Sequence, residues 1–388
     1  MRTAIDLYDE TIREDPYPTY ELLREAGPVF YDESRNEYFV TTYAEAAKVL
    51  VDATTFSSAP SGFESTVVGT NGVDHRFLRG ALMPAFAREQ RADYDRELRG
   101  NIHRRFRSVK NGELDIVSDF ATISSATLFH EMLDVRLINP GTFADWASRI
   151  VRTSRKELNP GEDFKAGTAD ISDILAVLRA TFRRSATSKP KPLLLSLLNE
   201  QYTSEKLTSS QLEDVGVIFS LAMTETIMAT TAFCGYYLAT VPGAQTRLRN
   251  DPSLIPAFID EVLRIEAPVQ RRPRFAEVDT HIGGVKIPAG SLVTVLIGSA
   301  NRDPQQFDNP DEFIETRAEN PHLSFGLGPH LCIGRQFGKA TLASSIDELL
   351  RITKHIELVD DDVAKRHPTN WSIRGPRSLR VRIERSRD

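Results

Sequence analysis

Between Thr208 and Val241 the chain holds a helical pattern for some thirty residues, apolar on nearly every side (VGVIFSLAM, then IMATTAFCGYYLATV). Thr208-Ser-Ser-Gln211 and Ser210-Gln-Leu-Glu213 both fit the capping-box spacing, and Val241-Pro242-Gly243 closes the run. At 1.5 Å per residue such a helix spans roughly 45 Å, enough to cross a whole domain. A helix without a polar face has to be buried. The fold is therefore expected to enclose it.

The flanking patterns are of two kinds. Residues 15–26 (DPYPTYELLREA) and 43–53 (YAEAAKVLVDA) are helical, and 28–43 reads as a hairpin of aromatic-rich runs around ESRN. Ser57 to Gly72 is a Ser/Gly/Thr-rich loop. From about His75 to Val241 the pattern is helical, interrupted at Asn111-Gly112, Asn139-Pro140-Gly141, Asn159-Pro160-Gly161 and Lys189 to Pro192. Residues 275–298 alternate β-branched side chains around a Gly-Gly and a Pro-Ala-Gly turn. Irregular Pro-rich chain, a glycine loop and a helix from about Arg335 to Thr353 follow. The tail at 371–384 is a second hairpin candidate. A helical body with small sheets at its edges is an α+β fold, mainly α.

Composition narrows the function. Net charge is −6, so no basic excess draws in nucleic acid. Two cysteines in 388 residues form no disulfide framework and point to a reducing compartment. The opening MRTAIDLYDETIRED carries acids where a signal peptide needs bases, and no run reaches the ~18 apolar residues of a membrane span. A cytoplasmic protein with no membrane anchor is expected. Length alone allows two or three domains.

The chemistry concentrates at 321–338, PHLSFGLGPHLCIGRQFG. The glycines demand sharp bends and a close backbone approach, and the following helix sets its N-terminus beside Cys332, where a thiolate is favoured. Phe325-x-x-Gly328-x-x-x-Cys332-x-Gly334 resembles the haem-binding signature of the cytochrome P450 family, the haem-thiolate monooxygenases. Glu261-Val-Leu-Arg264, Pro268-Val269-Gln270, Arg274, Ile287 to Gly290 and Ala300 to Pro304 follow the order of its soluble bacterial members. Asp15 to Pro18, Phe56 to Ser58 and Asp74 to Arg79 extend the likeness over essentially the whole chain.

The resemblance implies one haem domain over 1–388: a β-containing part to about residue 60, a helical body at about 75–265, and a mixed region with the cysteine loop at 266–388. It implies haem b, with Cys332 as axial iron ligand, Phe325 and Gly334 packed around it, and His75, Arg79, Arg274 and His330 holding the propionates. Glu261 and Arg264 are expected as a buried structural pair tied to 301–317. On the long helix, residues 218, 222, 225, 226 and 229 fall on one face by period. Ala222 leaves space there, Glu225 relays protons and Thr226 hydrogen-bonds dioxygen or its water. The competing fate of Thr226 is a bond back to the Ala222 carbonyl. By family position the substrate pocket takes in 59–73, parts of 145–190, Phe219, Val269 to Pro273 (including Arg271 and Arg272) and Asn370 to Ile373 with Trp371. The two arginines raise the idea of a carboxylate-bearing substrate.

Three residues depart from the pattern. Met223 stands where the family usually has Gly, which reduces the helix distortion that makes room for O2. Ile227 replaces a frequent hydroxyl, and Thr341 a frequent Glu, the latter a local packing change. Met223 keeps peroxide-driven oxidation, coupling or rearrangement open as alternatives, with a non-catalytic haem protein behind them. Lacking a flavin, nicotinamide or iron–sulfur motif, the protein needs a ferredoxin-type donor and its reductase. Arg335, Lys339 and Arg76 are its expected docking charges. The expected molecule is a monomer acting on a small organic substrate with O2. Cys234, in the apolar half of the long helix, is expected as inert packing.

Overall fold

The computed structural model describes residues 5–58, 66–86, 91–109, 112–133, 172–173, 176, 180, 209–359 and 372–386. The expectations for 59–65, for most of 134–208 and for Trp371 fall outside these residues. Among the described residues no helix is long and apolar enough to cross a membrane.

The central helix runs unbroken from Ser209 to Thr240. Val215, Phe219, Met223, Ile227, Phe233 and Leu238 are buried along it. Helices Thr122–Leu133, Ile255–Glu266 and Arg335–Ile352 pack around it. Cys234 is fully buried here, and burial pushes its thiol well above the ordinary value, so it is inert packing.

The sheets lie beside this body. Strands β1 (Val29–Asp32) and β2 (Glu37–Val40) form the expected hairpin, its turn set by Asn36 at a φ of 51°. Strand β3 (Phe56–Ser57) is one edge of the same sheet. Strand β4 (Glu113–Asp115) interrupts the helical body just after Asn111-Gly112, where a turn alone is expected from sequence. Next come β5 (Arg271–Ala276), the β6 (Thr280–Ile282) and β7 (Val285–Ile287) hairpin, and β8 (Leu292–Leu296). Gly283 and Gly284 both take positive φ, which a two-residue hairpin turn requires. The main sheet runs β1-β2-β8-β5-β3, with only β2 and β8 parallel.

The 371–384 tail does not form a hairpin with itself. Ile373 bridges Val269, and β10 (Arg380–Arg385) lies between β4 and β9 (Thr353–Leu358). Alternation explains this outcome: Val381 and Ile383 are buried while their neighbours are exposed, so one face covers the core and both edges find partners.

The Glu261–Arg264 pair is fully buried. Arg264 donates twice to Glu261 at 2.8 Å and also to the carbonyls of Asn301, Pro310 and Glu312. Glu261 accepts from the Ile314 N–H, Arg317 and Asn320. Burial pushes the Glu261 carboxyl up, but its donors hold it below the usual range. A depressed carboxyl contributes stability above its unfolded value of about 4.3 and loses it as pH falls through the folded value. Replacing Arg264 by Ala is expected to cost about 3–5 kcal/mol at neutral pH by stranding a buried charge. Urea unfolding at pH 7 and pH 3 checks this: the gap between variant and wild type should narrow in acid.

Candidate active site

The loop before Arg335 folds back on itself. The Cys332 N–H donates to the Phe325 carbonyl at 2.8 Å, and the Gly326 N–H to Leu323. Gly326 and Gly328 sit at φ near +70°. A Cβ on Gly328 would lie 2.7 Å from the Val51 Cα and 2.8 Å from the Leu50 carbonyl oxygen, so the loop presses on helix Tyr43–Val51 with no room for a side chain. Cys332 is exposed and lines a cavity. Burial raises its thiol above the ordinary value, against the pull of the Gly334 N–H and of Arg272, Arg79 and Arg335. The helix start and the cations work in the expected direction, and burial outweighs them.

The cavity encloses about 1230 Å3 of atom-free space, including its open mouth. Cys332, Phe325, His330, His75, Arg79, Arg272 and Arg274 all line it. His75 and Arg79 lie one turn apart on helix Gly72–Leu82. The rings of His75 and His330 are 4.3 Å apart, and His330 Nε2 lies 3.1 Å from Ser58 Oγ and 3.2 Å from Asn71 Oδ1. Burial and then Arg274, His75, Arg272 and Arg79 push His330 down to about 3. Burial and Arg272 pull Arg274 down to about 10. The cations thus oppose protonation of His330 and Arg274, and no carboxylate of the described residues lines the cavity to relieve them. His75 Nε2 is buried with no hydrogen-bond partner.

The central helix turns Ile218, Phe219, Ala222, Thr226, Ile227 and Thr230 toward the cavity. This sector is rotated from the expected one. Glu225 and Ala229 lie on its far edge, buried and off the cavity wall. Thr226 Oγ1 donates to the Ala222 carbonyl at 2.6 Å, and Thr230 Oγ1 to the Thr226 carbonyl at 2.7 Å. The back-bond weighed from sequence is thus present, and Thr226 still faces the cavity. Met223 is buried in a continuous α-helix, and Ser125 Oγ donates to the Met223 and Thr224 carbonyls.

Two expectations need correction. Arg271 does not face the pocket: it is 1% exposed and donates to the Leu7 carbonyl, beside Tyr8. Strand β5 alternates, so Arg272 and Arg274 share the cavity side while Arg271 points to the opposite one. Lys339 is not a free surface charge, because it pairs with Asp260 at 2.7 Å. Arg335 and Arg76 are exposed. Val269 and Phe219 line the cavity as expected, the latter stacked on Phe86. Thr341 is buried, accommodated by Tyr94 and the Phe337 carbonyl. Sequence reasoning missed Ser58 and Asn71 as His330 partners; Ser58 stood within the quoted Phe56 to Ser58 motif without a role.

A cysteine loop under a long helix, in a cavity rimmed by cations, defines a haem-thiolate class of protein. Comparisons with known proteins agree. The family described as Cytochrome P450 matches residues 142–370. The chain is 31% identical to 6-deoxyerythronolide B hydroxylase of Saccharopolyspora erythraea over 87% of this chain and 89% of that one. It is 28% identical to the putative cytochrome P450 YjiB of Bacillus subtilis, over 95% and 94% respectively. The crystal structure of CYP109B1 from Bacillus subtilis superposes with a TM-score of 0.81 at 26% identity, covering 97% of this chain and all of that one. The chain belongs to the cytochrome P450 family, and it is an oxidoreductase of the monooxygenase type whose cofactor is haem b. The cavity fits that group: among the described residues its cations lack counter-charges and His75 Nε2 lacks a hydrogen-bond partner, needs that two propionates would meet.

Gly328→Ala should cost more than Gly290→Ala. Both sites have positive φ, worth about 1–3 kcal/mol of strain, but only Gly328 also meets backbone. Thermal unfolding of the two variants checks the order.

Proposed function

We propose that the whole chain acts as one haem domain that inserts an atom of O2 into a small organic substrate, using electrons from a separate ferredoxin-type donor. The observation that carries this reading is the meeting of the Cys332 thiol, the cationic rim and the apolar face of the central helix in one cavity. Cys332 would hold the haem iron through its thiolate, and haem so bound would supply the O–O cleavage chemistry. His75, Arg79, Arg274 and His330 would hold the propionates through charge-assisted hydrogen bonds. Phe325 and Gly334 shape the wall beside the sulfur.

Thr226 positions a proton at the oxygen side of the cavity. While its own proton is held by Ala222, its oxygen serves as an acceptor; releasing that bond turns it into a donor. Glu225, one residue back and off the wall, feeds protons toward it from the buried side. Ile218, Phe219, Ala222 and Val269 exclude water and pack the substrate. Exposed Arg335 and Arg76 attract an acidic electron carrier; Lys339, already paired, contributes less.

Two experiments test this. Cys332→Ser should abolish the red-shifted Soret band of the reduced carbon monoxide complex; retention of that band sinks the assignment. Thr226→Ala should divert electrons to hydrogen peroxide and sharply cut product per electron pair. A peroxide-driven enzyme would keep its rate in the same variant, so the ratio of product to peroxide separates the two chemistries.

A further inference from the structure

We propose that Arg272 anchors a carboxylate of the substrate, so that the enzyme takes an apolar molecule with one acidic end. This rests on the haem-site reading above and adds a substrate class to it. Three guanidiniums, Arg79, Arg272 and Arg274, line the cavity, and among the described residues no Asp or Glu does. Ferric iron, the porphyrin dianion and a Cys332 thiolate sum to zero, which leaves the two propionates as the cofactor's charge. Among the described residues, three cations against two anions leave one positive charge over, and any charge on His75 or His330 adds to the excess. An enclosed, unpaired charge is costly, and a bound anion removes that cost.

Position selects Arg272 as the surplus cation. Arg79 shares a helix face with His75, and Arg274 is the cation with the largest effect on His330 after burial. His330 in turn lies near His75 and meets Ser58 and Asn71. Arg272 lies two residues nearer the start of β5, just beyond which Val269 bridges Ile373. It makes no hydrogen bond or ion pair with any described residue, although it opens into the cavity. Its planar fork matches a carboxylate in two parallel hydrogen bonds, while Ile218, Phe219, Val67, Val68 and Val269 offer only apolar surface to the rest of the molecule.

The test uses the haem-loaded protein and a series of ω-(imidazol-1-yl)alkanoic acids, with chains of about six to twelve carbons, beside their methyl esters. The imidazole nitrogen binds iron and shifts the Soret band, so affinity is read without turnover. At the best chain length the acid should bind about tenfold or more tightly than its ester, a preference that salt weakens. Arg272→Leu should erase the preference and keep its haem, Arg272→Lys should restore part of it, and Arg274→Leu should lose haem. Equal binding of acid and ester at every length in the wild type overturns the proposal. So does haem loss in Arg272→Leu and Arg272→Lys matching that in Arg274→Leu, because Arg272 is then a propionate partner. A wild type without the thiolate carbon monoxide band defeats the haem reading itself, whereas a normal band with no acid preference defeats this proposal alone.

Discussion

The Arg264 guanidinium is the anchor on which the site's geometry hangs. It joins one helix, through its own carbonyl-seeking donors, to three points on irregular chain at Asn301, Pro310 and Glu312. That chain has little regular structure to hold it in place, so the buried cation substitutes for a sheet or a helix packing face. The tie continues toward the cysteine loop. Asn301 accepts from the Leu323 N–H and donates to Ser324 Oγ, which donates in turn to the Leu263 carbonyl. Phe325 is the next residue. The loop around Cys332 is therefore suspended between this network on one side and the tight seat of Gly328 against Leu50 and Val51 on the other.

Electrostatics in the cavity run against the ordinary logic of folding. Proteins bury charges in pairs, yet here guanidiniums and imidazoles surround one space and depress one another. Such a cluster stores unfavourable energy in the chain alone and releases it when anions arrive. Of the cations assigned to the propionates, Arg79 also lowers the cost of a thiolate at Cys332.

What was legible in the sequence followed from period and from spacing. The central helix, the β1–β2 hairpin, the Gly-Gly turn and the Glu261–Arg264 pair are local patterns, and each appears where those patterns put it. The errors arise where a local pattern meets a neighbour. Arg271 and Arg272 are adjacent in sequence, but a strand sends adjacent side chains to opposite faces, so only one reaches the cavity. On the central helix the ideal period grouped Glu225 with Thr226, whereas packing rotated the cavity sector toward Phe219 and Thr230. Helix rotation is set by what lies behind, including Met223 and its Ser125 contact, and no periodicity in one segment encodes that. Strand β4, three residues long, carries too little pattern to announce itself; only its partner β10 explains it.

That pairing has a consequence for how the molecule comes to be made. Glu113 on β4 bonds Arg380 on β10, 267 positions further along. The intervening chain contains the central helix, the cysteine loop and most of the cavity wall. On the ribosome, β4 must therefore wait with an open edge until nearly all of the site has emerged. Closing so long a loop is a slow, entropically opposed event, and it comes after the local helices have formed. The small three-stranded sheet thus acts as a late clasp on the biosynthetic clock, and substitutions that weaken it should show first as poor yield of assembled protein rather than as altered chemistry.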